Sequence, residues 1–194
     1  MPAPRFETAR LTGIAGTAVL ARADASDRDA FVRMLGAVVT DEWPTSDMRD
    51  VQDYFARQLE TGAAAPGWMM WYLLARGAAL PRLVGAALPR LVGAVGHYGA
   101  PAPDGWVTVG YGICPSDEGQ GYASEGLAGM IDWGRAAVRL AGWRATTFER
   151  HGASVRVLEK NGFNCIGVSP GDAEASDADR QGRGRLMNWE RRNS

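Results

Sequence analysis

The chain reads as an α/β protein with a mixed central sheet of six to seven strands flanked by about four helices. Three observations predict this. Short runs rich in aliphatic and aromatic residues alternate with longer segments of helical apolar periodicity, the pattern of strand–helix units. Turn chemistry such as Pro101-Ala102-Pro103-Asp104-Gly105 joins some neighbouring strands directly, as hairpins require. A chain of 194 residues that is 46% hydrophobic can bury one sizeable core, so residues 1–194 are expected to form a single domain.

Taken in order, Leu11 to Ala21 is strand-like. Ser26-Asp27-Arg28-Asp29 is a capping-box pattern that opens a first helix, with Phe31, Met34 and Leu35 on one face. Asp41-Glu42-Trp43-Pro44 ends it, because proline biases its predecessor away from helix. Ser46 is a suitable N-cap for a second helix, in which Met48, Val51, Tyr54, Phe55 and Leu59 recur at helical spacing until Gly62. Trp68 to Ala75 reads as a strand. Ala79-Leu80-Pro81-Arg82-Leu83-Val84-Gly85-Ala86 is then followed by an identical octapeptide, Ala87 to Ala94. Two copies are too few and too short for a solenoid. The second copy runs on into Val95-Gly96-His97-Tyr98, so it is the expected strand, and the first is an extension that a surface loop tolerates at small entropic cost.

Trp106 to Cys114 is the next strand. A helix from about Tyr122 to Leu140 follows, with Leu127, Met130, Ile131, Ala137, Val138 and Ala141 as its apolar face and Gly142 as its terminator. Trp143 to Phe148 is a strand, Ala153 to Lys160 a short helix stopped by Asn161-Gly162, and Phe163 to Val168 a further strand. Ser169 to Gly184 is polar and loop-like, and Leu186 to Trp189 closes the sheet.

Composition excludes several classes. The formal net charge is −1 with no basic run, so nucleic acid is not an expected partner. No apolar stretch is long enough to span a bilayer, and Met1 to Glu7 lacks a signal-like apolar region, so a cytoplasmic protein without a membrane partner is expected. Cys114 and Cys165 lack metal-ligand spacing and are expected to be buried free thiols; no metal site is expected.

The segment that carries chemistry is Gly119-Gln120-Gly121-Tyr122-Ala123-Ser124-Glu125-Gly126, between a strand and a helix. Glycines there let main-chain N–H groups converge on an anion, and the helix N-terminus adds partial positive charge. A dinucleotide fingerprint needs its third glycine two residues earlier than Gly126, and a phosphate loop needs Gly-Lys-Ser/Thr, which is absent.

Together with Val109-Gly110-Tyr111-Gly112-Ile113 before it and Ala153-Ser154-Val155-Arg156-Val157-Leu158-Glu159-Lys160-Asn161-Gly162-Phe163 after it, this segment resembles the GNAT-type acyl-CoA N-acyltransferases. The branch it looks most like is that of the ribosomal-protein N-terminal acetyltransferases. The match covers roughly residues 106–168. It implies a splayed sheet and acetyl-CoA as co-substrate. The diphosphate would lie on the main chain of Gly119, Gln120, Gly121, Tyr122 and Ala123, with Ser124 in the same turn, and the pantetheine arm would pair with the edge near Gly112, Ile113 and Cys114. The N–H of Ile113 or Cys114 would polarise the thioester oxygen. Three departures from the family pattern stand out: Glu118 where Gln or Arg is common, Gly152 where Asn is common, and Leu158 at the place of a thiolate-protonating tyrosine. In this branch a serine at the position of Ser154 is the candidate acid.

Direct attack needs a neutral amine, and a lysine-like amine has a pKa near ~10, so a base is sought among Glu149, His151 and His97. An α-amino group, with a pKa near ~8, needs only a weak base or water. Trp43, Trp68 and Trp71 are candidates to line an acceptor cleft, and the acidic residues Asp172, Glu174, Asp177 and Asp179 to attract a cationic amine. The expected activity is transfer of acetyl from acetyl-CoA to a primary amine, either a peptide N-terminus or a small molecule. A domain that binds CoA without catalysis is the alternative, and a dinucleotide oxidoreductase ranks behind both. A homodimer is allowed, though no residue selects it.

Overall fold

The computed structural model describes residues 2–76, 88–169 and 182–193. Among them, eight strands form one sheet: β1 (Arg5–Glu7), β2 (Leu11–Ala15), β3 (Met70–Ala75), β4 (Arg90–His97), β5 (Trp106–Ile113), β6 (Gly142–Phe148), β7 (Asn164–Val168) and β8 (Leu186–Arg192). Their spatial order is β1-β2-β3-β4-β5-β6-β8-β7. Every neighbouring pair is antiparallel except β5–β6. The helices are α1 (Ala18–Ser26), α2 (Arg28–Leu35), α3 (Ser46–Arg49), α4 (Gln52–Glu60), α5 (Tyr122–Ala137) and α6 (Gly152–Lys160).

The sheet divides two cores. Trp71 and Leu73 of β3 face Leu127, Met130 and Ile131 of α5, with Leu158 of α6 beside them. Met70, Tyr72 and Leu74, alternating with them, face Leu20, Phe31 and Phe55 of α1, α2 and α4. Burial on both sides is why β3 is a continuous apolar run rather than an alternating one.

Several expectations need correction. The strand expected from Leu11 to Ala21 ends at Ala15, because the Thr17 hydroxyl accepts the Leu20 N–H at 3.2 Å and starts α1. The cap of α2 is Asp27, accepting from Ala30, one residue beyond the expected Ser26. The second expected helix is two, α3 and α4. Met34, Tyr54 and Val138, placed on inward faces, are exposed, as are Ala137 and Ala141. Helix α5 stops at Ala137, and Gly142 opens β6 instead of ending the helix. The added eighth strand, β1, rests on one side chain: the Phe6 ring fills the space where Gly13 and Gly129 have no Cβ. Cys114 is buried, but Cys165 is exposed because edge strand β7 is exposed throughout.

The second octapeptide copy does supply β4, from Arg90 onward. The first copy lies outside the described residues, as does the acidic segment Asp172 to Asp179.

Candidate active site

The site begins where the sheet comes apart. Strands β5 and β6 pair only through Trp106–Gly142, Val107–Trp143 and Thr108–Arg144. Beyond them β5 continues along β4 as far as Ile113, while β6 continues along β8 to Phe148. A wedge opens between the two. Thr108 O accepts from Tyr98 N, and Cys114 N donates to Val92 O at 2.9 Å, so even-numbered residues of this stretch bond toward β4. By antiparallel alternation, the main-chain groups of Val109, Tyr111 and Ile113 face the wedge. This corrects one expectation: of the two amides proposed to polarise the thioester oxygen, that of Cys114 is committed to Val92, and only that of Ile113 is directed into the opening.

The close approach of β4 and β5 requires Gly93. Its φ is +151°, and a Cβ there would lie 2.3 Å from Gly112 O. At the same place β4 carries an extra residue relative to β3, a bulge of the kind that re-aims a strand beside a site.

After Ile113 the chain passes through Cys114, makes a short 3-10 turn at Pro115–Asp117, and enters the glycine turn. Two side chains fix the 3-10 turn. Arg90 makes a two-pronged ion pair with Asp117, which is 1% exposed, and Glu42 accepts both the Ser116 N–H and its hydroxyl. These two donors from Ser116 hold the Glu42 carboxyl below its ordinary range. Gly121, with φ +83°, is the N-cap of the 16-residue α5 and has no side chain to cap it. A Cβ on Gly119 would meet nothing, and one on Gly121 would meet only Arg10 Nη2, at 3.5 Å. The start of α5 therefore has open space and no side-chain cap, and its first-turn amides are free to receive an anion. Glu118 is exposed at the start of this turn.

Ser154, in the first turn of α6, is nearly buried, and its Oγ lies 2.8 Å from the Tyr111 hydroxyl. The same hydroxyl donates to Ser154 O at 3.0 Å. Tyr111 thus bridges β5 to α6 across the wedge. Burial pushes its pKa up to about 12, partly offset by the Ser154 hydrogen bond, so it keeps its proton at neutral pH. No local pattern in the sequence signals a role for Tyr111, since its partner lies 43 residues away. Leu158 is fully buried in the core.

The proposed bases fare unequally. His97 is fully buried: Nδ1 donates to Gly67 O at 3.0 Å, the ring stacks near Trp68 and Trp133, and burial lowers its pKa to about 4. It is a neutral core histidine. Glu149 is exposed and paired with Arg185 at 3.1 Å, which lowers its pKa and its basicity. His151 is exposed, at the N-cap of α6, and makes no side-chain cap hydrogen bond. Trp43 and Trp71 are core residues, donating to Asp24 at 2.7 Å and to Gly67 O, while the half-buried Trp68 packs on Trp133. The opposite face of β5 is floored by glycine instead. A Cβ on Gly110 would strike the Tyr98 ring, and one on Gly112 would lie 3.0 Å from Thr45 Oγ1. Among the described residues, no cluster of His, Cys, Asp and Glu is arranged to hold a metal ion, and no helix is long and apolar enough to cross a membrane.

A mixed sheet split beside an open helix N-terminus is the arrangement expected of an acyl-CoA-dependent acetyltransferase. The chain belongs to the GNAT acetyltransferases: the family model of the acetyltransferase (GNAT) domain matches residues 18–164, most of its length. It is similar to the uncharacterized N-acetyltransferase YjdG of Bacillus subtilis strain 168, with 25% identity over 132 residues, 68% of this chain and 73% of that protein. Among solved structures it resembles RimL, the ribosomal L7/L12 alpha-N-protein acetyltransferase, in complex with coenzyme A, at 15% identity and a TM-score of 0.63 over 97% of this chain and 98% of that one. It also resembles the microcin C7 self-immunity acetyltransferase MccE in complex with acetyl-CoA and AMP, at 12% identity and a TM-score of 0.58 over 96% and 94% of the two chains. At these identities the likeness is one of fold.

Proposed function

We propose that the chain transfers the acetyl group of acetyl-CoA to a primary amine by direct attack. The observation that carries this reading is the inner edge of β5, Val109 to Ile113, unpaired among the described residues and joined by a short 3-10 turn and the glycine turn to the uncapped N-terminus of α5. An extended pantetheine arm pairs with that edge as an added strand, and the diphosphate meets the main chain from Gly119 to Ala123, with Ser124 next in the turn. A reactive thioester is what this co-substrate brings. The Ile113 amide donates to its oxygen, and the Ser154 hydroxyl donates to the departing sulfur.

The proton balance limits what Tyr111 and Ser154 do. The sulfur leaves with a thiol-like pKa near ~8.5, well below about 12 for Tyr111, so net loss of the tyrosine proton is uphill. Tyr111 instead turns its O–H from Ser154 O to Ser154 Oγ, which frees the serine proton to point at the sulfur. The proton that the thiol finally carries is the one the amine gives up.

A protein N-terminus suits the site better than a lysine side chain: Glu149 is tied to Arg185 and His97 is sealed in the core, which leaves His151, exposed at the start of α6, as the base, and an α-amino group needs little help. The name of RimL, an alpha-N-protein acetyltransferase, points the same way, while a small-molecule amine is the other acceptor class. The loss of Glu149 and His97 as bases also favours the runner-up, a CoA-binding domain without turnover. Incubation with acetyl-CoA and a panel of peptides and small amines, reading thiol release, tests the proposal. Acetylation of an N-terminal amine is expected; CoA binding with no turnover on any amine would support the runner-up.

A further inference from the structure

Arg10 sits in the loop between β1 and β2, 110 residues before the glycine turn, and grips that turn from outside. Its Nη1 donates to Gln120 O at 3.0 Å, its Nε to Glu125 Oε2 at 2.7 Å, and its main-chain N–H to Glu125 Oε1 at 2.7 Å. The guanidinium carbon lies 4.8 Å from the centre of the Tyr122 ring. Thr8 Oγ1 donates to the same carboxylate at 2.6 Å.

Two consequences follow from elementary geometry and charge. A trans peptide puts its C=O and N–H on opposite sides, so a Gln120 carbonyl turned onto Arg10 turns the Gly121 N–H the other way, toward the open side of the turn. Glu125, in the first turn of α5, would otherwise compete with an incoming anion for the positive end of the helix. Partial burial would raise its pKa, yet the Thr8 hydroxyl and the Arg10 amide and guanidinium together hold its carboxyl below the ordinary range, drawn sideways onto the β1–β2 loop. The Arg10 side chain is 48% exposed, so its charge also remains within reach of a ligand in the turn.

We propose that Arg10 is a positioning residue for the co-substrate's diphosphate, orienting the Gly121 amide and neutralising Glu125. The inference rests on the functional reading above, which places the diphosphate at this turn. The test compares dissociation constants for CoA and for pantetheine, which has the thiol arm and no diphosphate, in wild type, Arg10→Ala and Arg10→Lys. Loss of a charge-assisted hydrogen bond predicts that Arg10→Ala binds CoA about tenfold more weakly, with pantetheine affinity unchanged. Arg10→Lys keeps a charge but cannot span Gln120 and Glu125, so it recovers only part of the loss. Equal CoA affinity in wild type and Arg10→Ala, or parallel losses for CoA and pantetheine, would overturn the inference. If the alanine variant does not fold, Arg10→Lys decides alone: a loss confined to CoA supports the proposal and unchanged CoA affinity overturns it. A wild type that binds no CoA contradicts the functional reading itself, which separates that failure from a failure of Arg10.

Discussion

The Tyr111 hydroxyl on β5 and the Ser154 Oγ in the first turn of α6 are 2.8 Å apart, and they join the two sides of the sheet's opening. One phenolic proton serves two acceptors, Ser154 O and Ser154 Oγ, so the pair has two hydrogen-bonding states. In one of them the serine proton is free for the leaving sulfur. Ser154→Ala is therefore expected to lower kcat by about a hundredfold and Tyr111→Phe by about tenfold, with little change in CoA affinity. The double variant should be scarcely worse than Ser154→Ala, because the tyrosine acts through the serine. An unchanged rate in Ser154→Ala would remove the serine from the mechanism, and additive losses would detach the tyrosine from it.

Gly121 combines a left-handed backbone with an open cradle. Gly121→Val places a β-branched residue at φ +83°, at a conformational cost of roughly 1–2 kcal/mol, and crowds Arg10, which distorts the turn that receives the diphosphate. Calorimetric titration should show CoA affinity down by more than about tenfold in a protein that remains folded. Intact binding would mean the diphosphate lies elsewhere.

His97 predicts an acid limb in stability. Its folded pKa of about 4 lies below the ordinary 6.5, so the unfolded chain takes up a proton that the folded chain refuses. Stability is complete above pH ~6.5 and falls as the pH drops toward ~4, by roughly 3 kcal/mol in all. Urea titrations across that window should show a shallower decline for His97→Phe than for wild type. Equal slopes would contradict the assignment.

The two thiols should differ sharply in reactivity. Cys165, exposed on the edge strand, is expected to react with a disulfide reagent within minutes at pH 8. Cys114 is fully buried and its pKa is pushed up to about 11, first by burial and then by Asp117 and Glu42. It should react only on unfolding. Rapid labelling of both would show that the end of β5 is not packed as described.

How much of this was legible beforehand depends on the range of the interactions. Leu127, Met130 and Ile131 declare the buried face of α5 by their spacing, and Met70 to Ala75 declares a central strand by its unbroken apolar run. The glycine turn could be read because its chemistry lies in consecutive residues. β1 could not, since one phenylalanine carries no periodicity and the space it fills is the absence of side chains at Gly13 and Gly129. Met34 and Tyr54 are exposed despite their helical spacing, because spacing ranks faces but does not say how wide the buried stripe is. Tyr111 with Ser154, and Arg10 with Gln120, are pairings of distant segments that no local pattern announces.

The second octapeptide copy contributes Arg90, which anchors Asp117, and Gly93, which the β4–β5 contact requires. Deleting residues 79–86 leaves both in place. A protein that folds and binds CoA as wild type does is expected, as judged by melting temperature and titration; collapse would show that the first copy is needed for the fold.

The most direct measurement is a crystal structure of the protein with acetyl-CoA bound. The account predicts diphosphate oxygens within ~3 Å of main-chain nitrogens between Gly119 and Ala123, and a pantetheine arm in the gap between β5 and β6 with its thioester oxygen on the Ile113 amide and its sulfur beside Ser154. A ligand lodged outside the gap between β5 and β6, or a diphosphate resting away from the start of α5, would contradict it.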